Sequence, residues 1–276
     1  MPELPEVETI RRELAATLLG RTVTKVAVRG PRTVRRQAVS RFRAALTGRR
    51  VLDVRRHGKY LLIGCDGGTL VVHLRMTGRL LLEDGAPGRA TPHTHAVLSL
   101  DDGRRLRFVD PRTFGELFFA TEGDQLLAET VGRLGPDAAD GGIDSEALGR
   151  LVGRRRTSLK AFLLDQTMIA GIGNIYADEI CFVAGLRPDR STATLGDDDL
   201  ARLAAAMRAV LSRAVGSRGT SLGDGGYRDL FGAPGGFQAE HAVYGRGGEP
   251  CPRCGTAIEK SRLAGRSTHW CPRCQG

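Results

Sequence analysis

The chain has 276 residues, of which 41% are hydrophobic and 26% charged, and its formal net charge is +10. That length accommodates two domains with separate cores, and no apolar run approaches the ~18–20 residues of a membrane-spanning helix. The basic excess suits a polyanionic partner, DNA or RNA first, and equally the plainer alternative of an arginine-rich proteome.

The first residues read Met1-Pro2-Glu3-Leu4-Pro5-Glu6-Val7-Glu8. They are acidic and lack an apolar stretch, so no signal peptide is expected and a cytoplasmic location follows. Val7, Ile10, Leu14 and Leu18 recur at helical spacing. Pro5 suits a first helical turn, and Gly20 suits a C-terminal cap. One amphipathic helix is predicted, with the N-terminus held at its start. Removal of Met1, usual before proline, leaves a secondary amine at Pro2 beside the carboxylates of Glu3 and Glu6. Near neutral pH an α-amine of pKa about 7.7–8.0 has roughly 400-fold more free base than a lysine at about 10.4. Such an amine attacks an electrophilic carbon such as a sugar aldehyde and goes directly to an iminium ion, while a carboxylic acid shuttles protons. The alternative is a solvated helix start whose acids merely suit the helix dipole.

Strands are predicted at 22–28, 51–55, 60–65, 69–74, 79–82, 95–100, 104–109 and 116–120, with Gly67-Gly68, Asp84-Gly85 and Asp102-Gly103 as turns. Close spacing of short strands suggests an antiparallel sandwich or barrel-like domain. The arginine-rich 30–45 stretch looks partly helical. Residues 135–143 are linker-like, with Gly135-Pro136-Asp137 and Asp140-Gly141-Gly142. The expected domains are therefore 1–134, 144–240 and a terminal module at 241–276. Helices are predicted at 146–152, 158–165, 175–184 and 198–215. Residues 219–237 are glycine-rich and unpatterned, a loop long enough to be functional or disordered.

Four constellations carry chemistry. Cys251-Pro-Arg-Cys254 and Cys271-Pro-Arg-Cys274, 16 residues apart, describe a four-thiolate zinc site on a β-hairpin. Four protein ligands leave no open position, so this Zn2+ is structural. Basic residues around it, Arg266 among them, suit phosphates. The second is the Gly171-Ile-Gly173-Asn174 sequence before an apolar helical run. Asn174 is predicted as its N-cap, and such a helix start suits an anion, with Arg154, Arg155, Arg156 and Lys160 upstream; the alternative is a tight turn between two core helices, with solvated arginines. The third is Lys59, opening a strand after Gly58 and suited to reach a phosphate or act as an acid; the alternative is a merely solvated lysine at a strand edge. The fourth is Met76 with Arg112 and Phe114, on turns between strands, where apolar tips and a guanidinium suit a wedge into DNA; the alternative places Met76 and Phe114 in the core.

Together PELPEVE, HGKY, HLRMTG, DPRTFG, GIGNIYADE, the Val243–Arg246 stretch and the four-cysteine ribbon resemble the formamidopyrimidine-DNA glycosylase and endonuclease VIII family over essentially the whole chain. The resemblance implies an α+β multidomain fold: an N-terminal helix with an antiparallel β-sandwich, then a helical domain with a helix–two-turns–helix element and a zinc ribbon. It implies a monomeric bacterial enzyme of base excision repair that acts on double-stranded DNA carrying oxidised bases or abasic sites. Pro2 would be the nucleophile, Glu3 the proton donor and acceptor, and Glu6 its support; Lys59 and Arg266 would assist on phosphates. Asn174, His93, Arg155 and Lys160 would be DNA contacts. Met76, Arg112 and Phe114 would fill the space left by an extruded base, and residues 219–236 would cap the lesion. The complete Met–Arg–Phe set resembles the oxidised-purine branch. The endonuclease VIII-like branch for oxidised pyrimidines and a catalytically silent DNA-binding homologue are the alternatives.

Overall fold

The computed structural model describes residues 1–85, 92–139, 141, 143–153, 155–223 and 226–276. Arg154, and the Asp140 and Gly142 of the expected linker, lie outside the described residues. The chain forms two compact units, Met1–Arg133 with Ser217–Gly236, and Leu134–Gly216 with Phe237–Gly276. No helix among the described residues is long and apolar enough to cross a membrane.

The first unit opens with α1 (Leu4–Leu18). Its Val7, Ile10, Leu14 and Leu18 are all buried in the main core, each contributing about 1.5–3 kcal/mol, so the helix and the residues before it are fixed in place. Among the described residues eight strands follow: β1 (Val23–Val28), β2 (Val51–His57), β3 (Tyr60–Cys65), β4 (Gly68–His73), β5 (Arg79–Glu83), β6 (Thr94–Leu100), β7 (Arg105–Val109) and β8 (Glu116–Thr121). Helices α2 (Val39–Leu46) and α3 (Leu126–Thr130) accompany them. The strands pair antiparallel in two sheets, ordered β1–β6–β7–β5 and β2–β3–β4–β8. Every second residue of β6 from Thr94 to Leu100 is buried, as expected for a strand with one face on a core. Strand β4 is buried on both faces. Leu70 and Val72 join the main core, while Val71 meets Phe118, Ala120 and the α3 leucines Leu126 and Leu127 in a smaller one.

Residues 217–236, expected with the helical domain, join the first unit instead. Tyr227 and Leu230 sink into its core. The Leu82 N–H of edge strand β5 donates to Leu230 O at 2.9 Å, covering part of a sheet edge that would otherwise leave backbone groups open. From α1, Glu13 accepts the Leu230 N–H at 2.9 Å, and Arg218 bridges Glu13 and Asp229.

The second unit contains α4 (Ser145–Val152), α5 (Leu159–Leu164), α6 (Asn174–Ala184), α7 (Asp197–Gly216) and the hairpin β9 (Glu259–Leu263)–β10 (Arg266–Trp270). Side chains of Asp144 and Ser158 cap α4 and α5, accepting from the N–H groups of Ala147 and Ala161. Gly185, at φ +70°, closes α6 in the left-handed conformation.

Candidate active site and zinc ribbon

The N-terminus is fixed by its own acids. Glu3 is the N-cap of α1 and Glu6 lies one turn on; they are 2% and 1% exposed, and Pro2 is buried. Glu6 Oε2 accepts the Glu3 N–H at 2.7 Å, closing a capping box. Its Oε1 accepts the Thr220 N–H at 2.6 Å. Carboxylates so buried are tolerated because backbone donors and the helix dipole replace water. Gly219 makes the approach possible: it sits at φ +76°, and a Cβ there would lie 2.6 Å from Glu6 Oε1. Met1 is 43% exposed.

Lys59 is buried at the β2–β3 turn, after Gly58 at φ +55°. The turn is tied to α1 through Arg56, which donates to Gly58 O at 2.8 Å and meets Glu8 at 3.2 Å. Burial alone would raise the Glu8 carboxyl, but hydrogen bonds from Arg11 and Arg12 and the charges of Arg11 and Arg56 outweigh it and hold the group below its ordinary value. On β4, burial first, then Arg75 and Lys59, push the His73 pKa well below its ordinary value. The neutral ring accepts the Arg75 N–H on Nδ1 at 3.0 Å and meets Tyr60 edge-on.

Met76 and Phe114 are each 42% exposed, so neither is a core residue. The Arg112 guanidinium lies 4.6 Å from the centre of the Phe114 ring. His93 is exposed on the turn before β6, at φ +65°.

In the second unit, the Sγ atoms of Cys251, Cys254, Cys271 and Cys274 all lie within 4.8 Å of one another. Cys251 and Cys274 are 3.9 Å apart, Cys254 and Cys271 3.5 Å. Zn–S bonds of about 2.3 Å in a tetrahedron give S···S edges of about 3.8 Å, so the thiols fit one zinc ion. Bound there, zinc holds the two knuckles together and has no open position for chemistry. The hairpin between them turns through Ala264 and Gly265, both at positive φ, the geometry of a tight two-residue turn. Arg266 follows, exposed, as the first residue of β10. Asn174 is the first residue of α6; its N-cap is Gly173 rather than Asn174. Freed from capping, the Asn174 amide reaches Ser267 Oγ at 3.4 Å, which sets the helix start beside the Arg266 strand. Arg155 is exposed on the loop before α5.

Lys160 is not at a surface. It is 0% exposed, and its Nζ donates to Asp178 Oδ1 at 2.6 Å, Ser267 O at 2.7 Å and Thr268 Oγ1 at 3.0 Å. The expected DNA contact is corrected to an internal pin between α5, α6 and β10. Asp178 and Thr220 were not singled out in the sequence; each meets its partner through the fold alone, the Thr220–Glu6 bond spanning 214 positions.

One unit thus presents a buried proline beside two acids, and the other a four-thiolate ribbon beside a glycine-led helix start. These features define a two-unit zinc-ribbon protein with an acid-flanked N-terminal proline. Three family models match the chain in order. They are the formamidopyrimidine-DNA glycosylase N-terminal domain over residues 1–117, its H2TH domain over 134–224, and the zinc finger found in FPG and IleRS over 248–276. The formamidopyrimidine-DNA glycosylase of Heliobacterium modesticaldum is 47% identical over 278 residues, covering 100% of both chains. The crystal structure of the MutM (Fpg) protein of Thermus thermophilus matches with a TM-score of 0.89 at 46% identity, covering 100% of this chain and 99% of that one. The complex of Lactococcus lactis Fpg with abasic-site DNA matches with a TM-score of 0.90 at 33% identity, covering 99% of each chain. The chain belongs to the formamidopyrimidine-DNA glycosylase family, and it is a DNA glycosylase with one structural zinc site.

Proposed function

We propose that the chain is a bifunctional glycosylase and abasic-site lyase of bacterial, cytoplasmic base excision repair, excising 8-oxoguanine and formamidopyrimidines from double-stranded DNA. The observation that carries this reading is the burial of Pro2 next to Glu3 and Glu6 at the start of α1. Once the exposed Met1 is removed, the Pro2 nitrogen attacks C1′ of the damaged nucleotide, and the glycosidic bond breaks with its electron pair leaving on the base. Glu3 protonates the sugar ring oxygen, and the ring opens to an iminium ion. Loss of a C2′ proton expels the 3′ phosphate, and a second elimination, with loss of the C4′ proton, expels the 5′ phosphate and leaves a one-nucleotide gap; water then hydrolyses the iminium, breaking the Pro2–C1′ bond and releasing the sugar remnant as an unsaturated aldehyde with the amine free again. Glu6 holds Glu3 through its backbone N–H, and Lys59 assists elimination at a phosphate. Met76, Arg112 and Phe114 fill the stack when the lesion leaves it. Arg266 and Asn174 grip phosphate from the zinc-ribbon unit, with His93 and Arg155 as further contacts. Support for the substrate class comes from solved complexes of the G226P mutant of Lactococcus lactis Fpg with Fapy-dG DNA and of Lactococcus lactis Fpg with abasic-site DNA.

The test is borohydride trapping of the untagged, Met1-processed protein on a duplex with one 8-oxoguanine opposite cytosine, followed by peptide mapping. An adduct at Pro2 is expected. An adduct only on an oxidised-pyrimidine duplex moves the protein to the sister specificity. Binding without any adduct, on an abasic site as well, leaves a silent DNA-binding homologue.

A further inference from the structure

Met76 and the Arg112–Phe114 pair sit on separate turns, and one carboxylate reaches both. Asp110, immediately after β7, is fully buried. Its Oδ1 accepts the Thr77 hydroxyl at 2.5 Å and the Arg112 N–H at 3.2 Å, and its Oδ2 accepts the Gly115 N–H at 2.6 Å. Its N–H donates to His93 O at 2.9 Å, and its carbonyl accepts the Thr113 N–H at 3.2 Å and lies 2.7 Å from His95 Nε2. One residue therefore touches the turn before Gly78, the turn after β7 and the chain entering β6.

These turns are strained in a related way. Arg75, His93 and Thr113 have φ of 53°, 65° and 55°, values that side chains with a Cβ keep only where the surroundings over-determine them. Two glycines let these turns pack closely, Gly115 against the carboxylate and the Phe108 ring and Gly78 against Leu74 and the same ring. A Cβ on Gly115 would lie 2.3 Å from the Phe108 ring and 3.1 Å from Asp110 Oδ2, and one on Gly78 would lie 2.5 Å from Leu74 O. One carboxylate thus ties both turns.

We infer that Asp110, acting through Thr77, is the positioning residue that locks the Met76 turn and the Arg112–Phe114 turn into one preformed wedge mount. The inference rests on the wedge reading given under Proposed function. A tip ordered only on contact with DNA loses part of its binding energy to that ordering, whereas a preformed tip spends it on opening the stack. Asp110 thus acts on the rate at which the duplex is opened and not on the bond-breaking steps.

The test uses the full zinc-loaded chain. Thr77→Val removes one hydroxyl at constant shape, and Thr77→Ser restores it; Asp110→Asn turns one acceptor into a donor facing a donor. Opening is followed by stopped-flow fluorescence of 2-aminopurine beside an 8-oxoguanine. Chemistry is followed separately as cleavage of an abasic site facing a gap, where no stacked pair has to open. Thr77→Val and Asp110→Asn are expected to slow opening about tenfold or more, as for a displaced positioning group, with gapped abasic-site cleavage unchanged and Thr77→Ser near wild type. Wild-type opening in Thr77→Val overturns the inference even if Asp110→Asn fails to fold. Equal loss on both substrates overturns it too, since that is a general structural defect. Met76→Ala and Phe114→Ala separate the two readings. If they slow opening and Thr77→Val does not, only the mount fails; if they leave opening unchanged, the wedge reading fails.

Discussion

Replacing Lys160 by methionine tests whether this lysine is an internal pin. The substitution keeps the length of the side chain and removes the ammonium. Asp178 Oδ1, fully buried, then loses its 2.6 Å partner, and Ser267 O loses a donor at 2.7 Å. Asp178 Oδ2 keeps the His269 N–H at 3.0 Å, so the carboxylate is half satisfied. Stranding one member of a buried pair costs about 3–5 kcal/mol. At about 4 °C per kcal/mol for a unit of this size, the calorimetric transition of the second unit should fall by roughly 12–20 °C. The double variant Lys160→Met/Asp178→Asn should recover much of that loss by removing the stranded charge. A surface contact behaves oppositely. Stability would hold, and the slope of log affinity against log salt would shrink by about 0.9, the contribution of one neutralised phosphate. Unchanged calorimetry together with that shallower salt slope refutes the pin.

Three further outcomes follow from the geometry. Cys271→Ser should abolish the one-to-one zinc content measured by atomic emission and weaken DNA binding by loosening the strand that carries Arg266; full binding without zinc would disconnect the ribbon from recognition. Gly219→Ala places a Cβ 2.6 Å from Glu6 Oε1 at φ +76° and should cost about 1–3 kcal/mol with a drop in single-turnover excision; an unchanged melting temperature and rate would count against the Glu6–Thr220 tie. The third concerns pH. His73 stays neutral in the fold, while the unfolded chain takes a proton below pH 6.5. Stability is therefore full above 6.5 and is lost as pH falls from there toward the depressed folded value, by up to about 1.4 kcal/mol per pH unit. His73→Asn should flatten that slope in urea titrations at pH 5 to 7 (buffers in that range suffice), and an unaltered slope would assign it elsewhere.

Much of this was readable from residue pattern. Val7, Ile10, Leu14 and Leu18 keep a helical period, and their burial fixes α1 as predicted. The paired Cys-x-x-Cys knuckles needed only spacing. Exposure is harder to read: Met76 and Phe114 are apolar, and nothing local separates a turn tip from a core residue. The burial of Lys160 is hidden for a related reason. In the short helix α5, Leu159, Lys160, Phe162 and Leu163 are all buried, so there is no polar face whose phase could mark the lysine as internal, and its partner Asp178 lies on another helix. Helix α3, five residues long, carries too little pattern to stand out. Residues 217–236 hold few apolar anchors, and Glu6 and Glu13 meet them across more than two hundred positions.

That last arrangement bears on how the protein is made. The first unit is interrupted: residues 1–133 leave the ribosome about one hundred residues before 217–236 complete it. At about 5–20 residues per second the interval is roughly 5–20 s. Throughout it, Glu6 has no Thr220 and the core has no Tyr227 or Leu230. Until then the N-terminus is held only by contacts within residues 1–133, and the segment that ties Glu6 to Thr220 is the last part of this unit to arrive.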